Sequence, residues 1–270
     1  MRPLRYELHC HSCASPCGDD SLTPVMLCGM AKLAELDLLA VTDHNSAANL
    51  PAAEEACDAY GLLLLPGIEV TTEEEIHLLC YFPKVEAAQA MGTLLYEYLP
   101  DIPCDPDFFG NQLVMDSDEN IIDRPEKLLI NATSLDLYRA KALAEQLGGL
   151  CVPAHLDKDS TSVLSVLGMM PEDLDFPCVE FRDPARVQKF VDWGVLPPPQ
   201  EVLTSSDAHR MEALGTAGGV LEHPEQSFLW PLIRQRLERA GEPVTDCTLP
   251  DSPSGRAVAA GDQERAVSPF

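Results

Sequence analysis

The stretch Leu4-Arg5-Tyr6-Glu7-Leu8-His9-Cys10-His11, residues 4–11, alternates apolar with polar residues and closes on two histidines. Leu4 to Cys10 reads as a strand. Side chains alternate between the two faces of a strand, so His9 and His11 share one face and Cys10 takes the other. Paired imidazoles at a strand end suit a metal ion better than a packed core.

Working outward, the same ending recurs. Leu36 to Thr42 leads into Thr42-Asp43-His44-Asn45, and Leu62 to Ile68 leads into Glu69. His77 lies near the start of Ile76 to Phe82, and Leu150 to Ala154 ends at His155. Pro177 to Phe181 carries Glu180, and Val202 to Ser205 runs into Asp207 and His209. Helix-like segments lie between most of these strands. Thr23 to Leu36 begins with a Thr cap and a Pro at its first turn, and Pro51 to Tyr60 stops at Gly61. Ser134 to Leu147 starts on a Ser cap, and Phe228 to Ala240 closes the series. Strands alternating with helices imply a mainly parallel sheet, and seven strands without an obvious edge suit a barrel. In a parallel α/β barrel all strand C-terminal ends meet at one mouth, so these side chains would converge there.

Six of the seven histidines sit at or beside a strand; His223, in Leu221-Glu222-His223-Pro224, reads as a surface loop. One transition metal takes about four to six ligands, so so large a set implies two or three divalent ions. Imidazole with carboxylate suits Zn, Mn or Fe, and the sequence leaves that choice open. Clustered divalent ions neutralise a phosphate ester and acidify a bound water, which needs no Ser or Cys nucleophile. The chain has neither a Gly-Xaa-Ser-Xaa-Gly elbow nor a glycine-rich phosphate loop.

The 270 residues divide on composition into a first barrel part (1–83), an insertion after the fourth strand (84–133), a second barrel part (134–240) and a tail (241–270). The insertion carries Leu99-Pro100-Asp101-Ile102-Pro103, the pair Phe108-Phe109 and a turn-like Asp116 to Asn120; it either covers the mouth or packs at the periphery. The tail, rich in Pro, Ser, Gly and Ala, is expected to be disordered. A formal net charge of −26 argues against long nucleic acid as a partner and favours a small phosphorylated substrate met by local metal charge. No segment approaches a membrane span and no signal peptide precedes the first strand, so a cytoplasmic address and no membrane partner are expected. The ten cysteines are dispersed and read as reduced thiols. Cys10, Cys13 and Cys17 have metal-like spacing but no second pair to complete a set.

The motifs His9-Cys10-His11-Ser12, Thr42-Asp43-His44-Asn45, Gly67-Ile68-Glu69, then His77, His155 and Ser206-Asp207-Ala208-His209 occur in the order seen in the PHP (polymerase and histidinol phosphatase) family. The resemblance covers about residues 4 to 215 apart from the insertion. It implies a distorted (β/α)7 barrel and a trinuclear metal site serving a metal-dependent phosphoesterase, with a metal-activated hydroxide attacking phosphorus. One ion would take His9, His11, Glu69 and Asp207. A second would share Glu69 and add His77 and His155. A third would take His44, His209 and an acidic or His residue from the loop after His11. That loop departs from the Ser-Asp-Gly of many relatives. Here it reads Ser15-Pro16-Cys17-Gly18-Asp19-Asp20-Ser21-Leu22-Thr23-Pro24, and counting back from Thr23-Pro24 selects Asp19, with Asp20 as the alternative.

Asp207, His44 and His209 are the residues expected to touch the reacting groups. Asp43 is expected either to orient His44 or to contact a metal, and Glu180 to support the site, to contact substrate or to pair with a buried Arg or Lys. Arg182, Lys158 and Arg210 lie just beyond strand ends and are expected to grip phosphate. The leading function is hydrolysis of a nucleotide or sugar phosphate. The alternatives are a short-oligonucleotide exonuclease and a non-catalytic metal-binding regulatory module.

Overall fold

The computed structural model describes residues 1–241. The expectation of a disordered tail at 241–270 therefore falls, but for its first residue, outside the described residues.

Among the described residues, eleven strands and eight α-helices form a mixed α/β fold. The strands are β1 (Leu4–Cys10), β2 (Leu38–Val41), β3 (Leu63–Leu64), β4 (Gly67–Thr71), β5 (His77–Tyr81), β6 (Val114–Met115), β7 (Ile121–Asp123), β8 (Leu150–Pro153), β9 (Cys178–Glu180), β10 (Glu201–Leu203) and β11 (Gly219–Leu221). The helices are α1 (Pro24–Leu33), α2 (Leu50–Tyr60), α3 (Val85–Tyr98), α4 (Pro106–Phe109), α5 (Leu137–Gln146), α6 (Val163–Leu167), α7 (Val187–Asp192) and α8 (Trp230–Ala240).

All seven expected strands are present, but their hydrogen bonds do not close into the expected (β/α)7 ring. They fall into four sheets, ordered β11-β1-β2-β3, β10-β9, β4-β5-β8 and β6-β7. The mainly parallel expectation is corrected too. β4 and β5 pair antiparallel, β5 and β8 pair antiparallel, and β11 returns antiparallel to β1. The physical reason for the first is the connection. Only Thr72 to Ile76 joins β4 to β5, whereas a parallel crossover needs about a dozen residues or more. Isolated parallel bridges, Cys10 with Ala208 and His44 with Glu69, tie neighbouring sheets where the ladders stop.

Strand alternation still builds one interior. Leu8, Ala40, Leu79, Val152, Cys178 and Leu203, each from a different strand, bury their side chains in a common cluster that Leu229, Ile233 and Leu237 join from α8 and its approach. The opposite strand faces, including Leu39, Val41, Leu78, Cys80 and Val179, pack in a second cluster with Leu27 of α1, Ala53 of α2 and Ala140 of α5. Gly67 is required where β4 starts, because a Cβ there would stand 2.7 Å from Thr42 Cγ2. The nine described cysteines are free, with Cys10 and Cys13 buried and Cys17 exposed.

Helix starts follow the expected chemistry with two shifts. Thr23 caps α1 by accepting from Met26 N–H, and Gly61 ends α2 in the left-handed conformation at φ 65°. α5, however, is capped by Asp136 rather than Ser134, its carboxylate accepting from Arg139 N–H at 2.8 Å. α8 begins at Trp230, two residues later than its pattern suggested.

The segment after β5 is not wholly irregular: α3 buries Val85, Ala88, Met91 and Leu95. The remainder docks on the two loops that carry His11 and His44. Leu113 N–H donates to Cys13 O (2.7 Å), Asn49 Nδ2 to Leu113 O (3.0 Å), and Asn45 Nδ2 to the carbonyls of Leu129 (2.7 Å) and Asn131 (2.9 Å). Among the described residues, no helix is long and apolar enough to cross a membrane.

Candidate metal centre

β1 delivers Glu7, His9 and His11 to one face, as the two-residue period requires, and all three are buried. His44 follows β2, Glu69 lies in β4, His77 begins β5, His155 follows β8, and Asp207 and His209 follow β10. Three positions around the cluster adopt positive φ without being glycine: Asn45 (49°), His155 (30°) and Asp207 (50°). Such conformations cost about 1–3 kcal/mol each and persist where surrounding contacts over-determine them. Asn45 shows how, since its Oδ1 also accepts from Thr71 N–H at 3.0 Å.

Glu69 is the hub. Its Oε1 lies 3.2 Å from His9 Nε2, 2.7 Å from His77 Nδ1 and 3.3 Å from His155 Nε2. Its Oε2 lies 3.3 Å from His11 Nε2 and 3.1 Å from His44 Nδ1. Despite these distances, neither oxygen has a hydrogen bond of acceptable geometry, and both are buried. His44 Nδ1, His77 Nδ1, both His155 ring nitrogens and Asp207 Oδ1 are likewise buried without partners. Asp207 Oδ1 stands 3.3 Å from both His9 Nε2 and His11 Nε2, which are 3.4 Å from each other.

The surroundings show why these are not ordinary hydrogen bonds. His9 Nδ1 faces both Glu180 oxygens at 3.0 and 3.1 Å, so it carries the proton and leaves the Nε2 lone pair toward the cluster. His11 Nδ1 donates to Ser15 Oγ (3.0 Å), whose own proton goes to Asp43 Oδ1 (2.7 Å), so His11 Nε2 also presents a lone pair. His209 Nδ1 donates to Asp207 O (2.8 Å) and frees its Nε2. Lone pairs and carboxylate oxygens about 3.3 Å apart repel one another unless a cation sits between them. A tetrahedral ion with bonds of about 2.0–2.1 Å separates its ligands by about 3.3–3.4 Å, which is the spacing observed. The donor set therefore fits divalent metal. Three groupings have ligand atoms within 4.8 Å of one another: His9, His11, Glu69 and Asp207; His44, Glu69 and His77; and His11, His44 and His209.

Asp19 is not among them. Its exposed carboxylate is held by Ser21 N–H (2.9 Å) and Ser21 Oγ (2.6 Å), which pull its titration below the ordinary carboxyl range, with Arg210 adding to the effect. Asp19 touches the site only through its backbone N–H, which donates to His209 O at 3.1 Å. Asp20 instead accepts from Asn111 (2.7 Å). The Asp43 oxygens accept from Ser12 N–H (2.7 Å), Ser12 Oγ (2.6 Å) and Ser15 Oγ (2.7 Å), so Asp43 reaches the His11 ring and the His44 backbone through Ser15. Glu180 supports the site: besides His9 it accepts His155 N–H at 2.8 Å. Lys158 Nζ lies 3.3 Å from Asp207 Oδ2, while Arg182 and Arg210 are exposed.

Two participants escaped the sequence reading. Glu7 accepts from Ser206 N–H at 3.1 Å and so fixes the residue before Asp207; its place two residues before His9 on the same strand face was the available signal. Ser15 links Asp43 to His11 and His44 N–H, and no periodicity marks it.

Burial and charge divide the imidazoles. Burial pushes His44 well down and His209 down to about 4. For His9 and His11 burial also acts downward as the largest single influence, but the carboxylates together outweigh it. Glu180, Glu69 and Asp207 raise His9 well above its ordinary value, and Asp207 and Glu69 raise His11 to about 9. The same attraction lowers Glu69 and Asp207 against the opposing effect of burial.

A prediction follows for metal-stripped protein. Groups raised in the folded state contribute stability that is complete below their unfolded value, about 6.5, and is lost as pH rises through the folded value. His44 and His209, lowered in the folded state, act with the opposite slope at about pH 6.5 and drop out above about pH 7, where they are neutral in both states. The melting temperature of chelator-treated protein should therefore fall more steeply between about pH 7 and 8, below the range in which unfolded thiols ionise, than that of metal-loaded protein, in which cations replace those protons. Calorimetry of both forms across this range checks it, and parallel curves would refute the assignment.

Comparisons with known proteins fit this geometry. No family model matches the chain. A stretch of 74 residues, 27% of this chain, is 42% identical to the 5'-3' exoribonuclease Rnm of Salmonella typhimurium. A stretch of 71 residues is 38% identical to a 5'-3' exoribonuclease of Haemophilus influenzae. These matches span only about a quarter of each relative's length. Among solved structures, Endonuclease Q from Pyrococcus furiosus superposes with TM-score 0.57 at 19% identity, over 88% of this chain and 56% of that one. A Bifidobacterium adolescentis protein assigned as a metal-dependent phosphoesterase gives 0.52 at 21% identity, over 87% and 96%.

At such identities the structures speak to the fold, and the names are those of enzymes that cut phosphoester bonds. The PHP-type resemblance is thus borne out by fold and by the His/Glu cluster. One expectation is overturned. A further Endonuclease Q structure, TM-score 0.57 at 18% identity over 86% of this chain and 56% of that one, holds a 27-mer duplex. Together with the ribonuclease relatives, it corrects the exclusion of long nucleic acid. The physical error was to read the whole-molecule charge of −26 as the field inside one cleft, where bound cations set the sign.

Proposed function

We propose, with a PHP-type fold and ligand cluster as the premise, that this chain is a metal-dependent hydrolase of nucleotide phosphodiester bonds, acting at the end of a nucleic-acid strand. The observation that carries the reading is the quartet of His9, His11, Glu69 and Asp207, in which each imidazole Nε2 lies 3.2–3.3 Å from an oxygen of both carboxylates and 3.4 Å from the other imidazole, all four ligand atoms within 4.8 Å of one another. The choice of nucleotide substrates draws its support from the exoribonuclease relatives and the nuclease neighbours.

His9, His11, Glu69 and Asp207 would hold one ion. Glu69 and His77, with His44 or His155, would hold a second, and His44 and His209 beside His11 a third. Imidazole with carboxylate suits Zn, Mn or Fe. Bound there, divalent cations would neutralise the phosphate, acidify water and stabilise the departing oxygen. The chain's own residues do the rest. Glu180 and Ser15 hold the two β1 imidazoles in the tautomer that presents Nε2. Burial keeps His44 and His209 neutral at physiological pH, so each offers a lone pair rather than a proton. Lys158, partly exposed beside Asp207 Oδ2, would meet a phosphate oxygen at the rim.

The test is direct. Protein loaded in turn with Mn, Zn or Fe is assayed on a 5′-labelled oligonucleotide. Wild type should shorten it. Asp207→Asn should lose about 100-fold or more in turnover while its circular dichroism and melting temperature hold. Unchanged turnover would remove Asp207 from the chemistry, and inert wild type with every metal would overturn the reading.

A further inference from the structure

The loop after His11 turns sharply beside the cluster. In Ser15-Pro16-Cys17-Gly18, Gly18 N–H donates to Ser15 O at 2.9 Å, so Pro16 and Cys17 are the central residues of a β-turn. Pro16 suits the first of these places because its ring presets φ. Gly18 is required at the end, since a Cβ there would stand 2.9 Å from Ser12 O and 3.1 Å from Ser15 O. Both ends of the turn are tied to imidazole-bearing residues. Ser15 Oγ accepts from His11 Nδ1 (3.0 Å) and from His44 N–H (3.2 Å), and Asp19 N–H donates to His209 O (3.1 Å). Cys17 is thus held midway between contacts to His11 and His44 on one side and to His209 on the other.

Among the described residues, His11, His44 and His209 form the only grouping of candidate ligands without an acidic member. Their ligand atoms lie within 4.8 Å of one another, and His44, 2% exposed, has its Nδ1 buried without a hydrogen bond. Three neutral imidazoles leave the charge of a dication uncompensated in a buried place, and an anionic fourth ligand removes that cost. The carboxylates of the loop are engaged elsewhere, Asp19 by Ser21 and Asp20 by Asn111. The Cys17 thiol is not. Cys10, Cys13, Cys28 and Cys104 donate to backbone carbonyls, whereas no other residue accepts from Cys17 among the described residues. Cys17 as a residue is exposed, yet burial of its sulfur and then the charge of Glu69, ahead of Asp207, push the thiol up to about 12. The sulfur therefore lies within the field of the cluster. A cation bound there reverses that field, and a coordinating thiol is deprotonated outright.

We propose that Cys17 is the anionic ligand of the ion held by His11, His44 and His209, binding through Sγ as a thiolate. The thiol proton passes to solvent as the ion enters, so the centre gains a dication and releases one proton. The proposal rests on the reading of the cluster as the metal centre of a hydrolase. It gives one ion a donor set of sulfur with nitrogen, which suits Zn or Fe and disfavours Mn, whose preference is for carboxylate, carbonyl and water. The two groupings that contain Glu69 keep oxygen with nitrogen, so the centre holds sites of two kinds.

Cobalt(II) reports the ligand directly, because a thiolate bound to it gives an intense near-ultraviolet charge-transfer absorption that nitrogen and oxygen ligands lack. Metal-free full-length protein is titrated with cobalt. The absorption should appear in wild type and vanish in Cys17→Ser and Cys17→Asp. Zn affinity at this site should fall by about 100-fold or more in Cys17→Ser, beyond the roughly 10–100-fold that the outer partners of a metal are worth, and recover in Cys17→Asp, which restores an anion. Wild type saturated with cobalt but without the absorption, or an absorption undiminished in Cys17→Ser, would overturn the proposal. If Cys17→Ser does not fold, alkylation of wild-type Cys17 by iodoacetamide, followed by peptide mapping, decides instead. Zn should slow it by about 10-fold or more, and equal rates with and without Zn would refute the ligand. The functional reading fails separately: protein that shows the absorption yet never shortens an oligonucleotide with any metal keeps the ligand and loses the hydrolase.

Discussion

Glu69→Gln should strip the centre of metal and lower turnover by about 10³-fold or more. Five imidazole nitrogens lie within 3.3 Å of the two Glu69 oxygens, and no other side chain touches so many members of the cluster. An amide of the same shape offers one neutral oxygen, and its NH₂ turns a donor toward sites where cations must sit. Loss of several kcal/mol of cation-mediated stabilisation at the transition state corresponds to the stated drop. Metal analysis by mass spectrometry and turnover on the labelled oligonucleotide are the readouts. Near-normal metal content and turnover in Glu69→Gln would show that the two carboxylate oxygens do not bridge. The backbone contacts of Glu69, its N–H donating to Asp43 O (3.2 Å) and its carbonyl accepting Asn45 N–H (2.9 Å), survive the change. The fold should therefore hold while the site fails.

Glu180→Gln probes the layer behind the ligands. Glu180 is 2% exposed, accepts from His9 Nδ1 with both oxygens and from His155 N–H, and thereby orients one ligand through its ring and another through its backbone. Replacing the carboxylate with an amide keeps one acceptor but removes the charge that makes His9 Nε2 a better donor to a cation. Substitutions of this kind cost about 10–100-fold in metal affinity. Competition with a metal-sensitive chelator measures that affinity, and an unchanged constant would demote Glu180 to a packing role. A useful contrast is Asp43, which reaches His11 only through Ser15.

Much of the centre was legible in the chain because its signals are local. His9 and His11 are two residues apart on a strand, and Asp207 and His209 close the motif Ser206-Asp207-Ala208-His209. The loop after His11 was less legible, because a count back from Thr23-Pro24 assumes a loop shape, and the Asp19 carboxylate turns onto Ser21. The parallel pairing was overdrawn for a related reason. Hydrophobic runs locate strands but carry no record of direction, which the five residues between β4 and β5 decided.

By itself, the sequence determined that imidazoles and carboxylates would stand at strand ends, because side-chain alternation along a strand is a property of a few consecutive residues. Only the tertiary structure decided which of them share an ion and what holds each ring in place. His9 meets Glu180 across 171 residues of chain, and Asn45 meets Leu129 across 84. Contacts between segments so far apart depend on how whole sheets pack, and no short-range pattern encodes that.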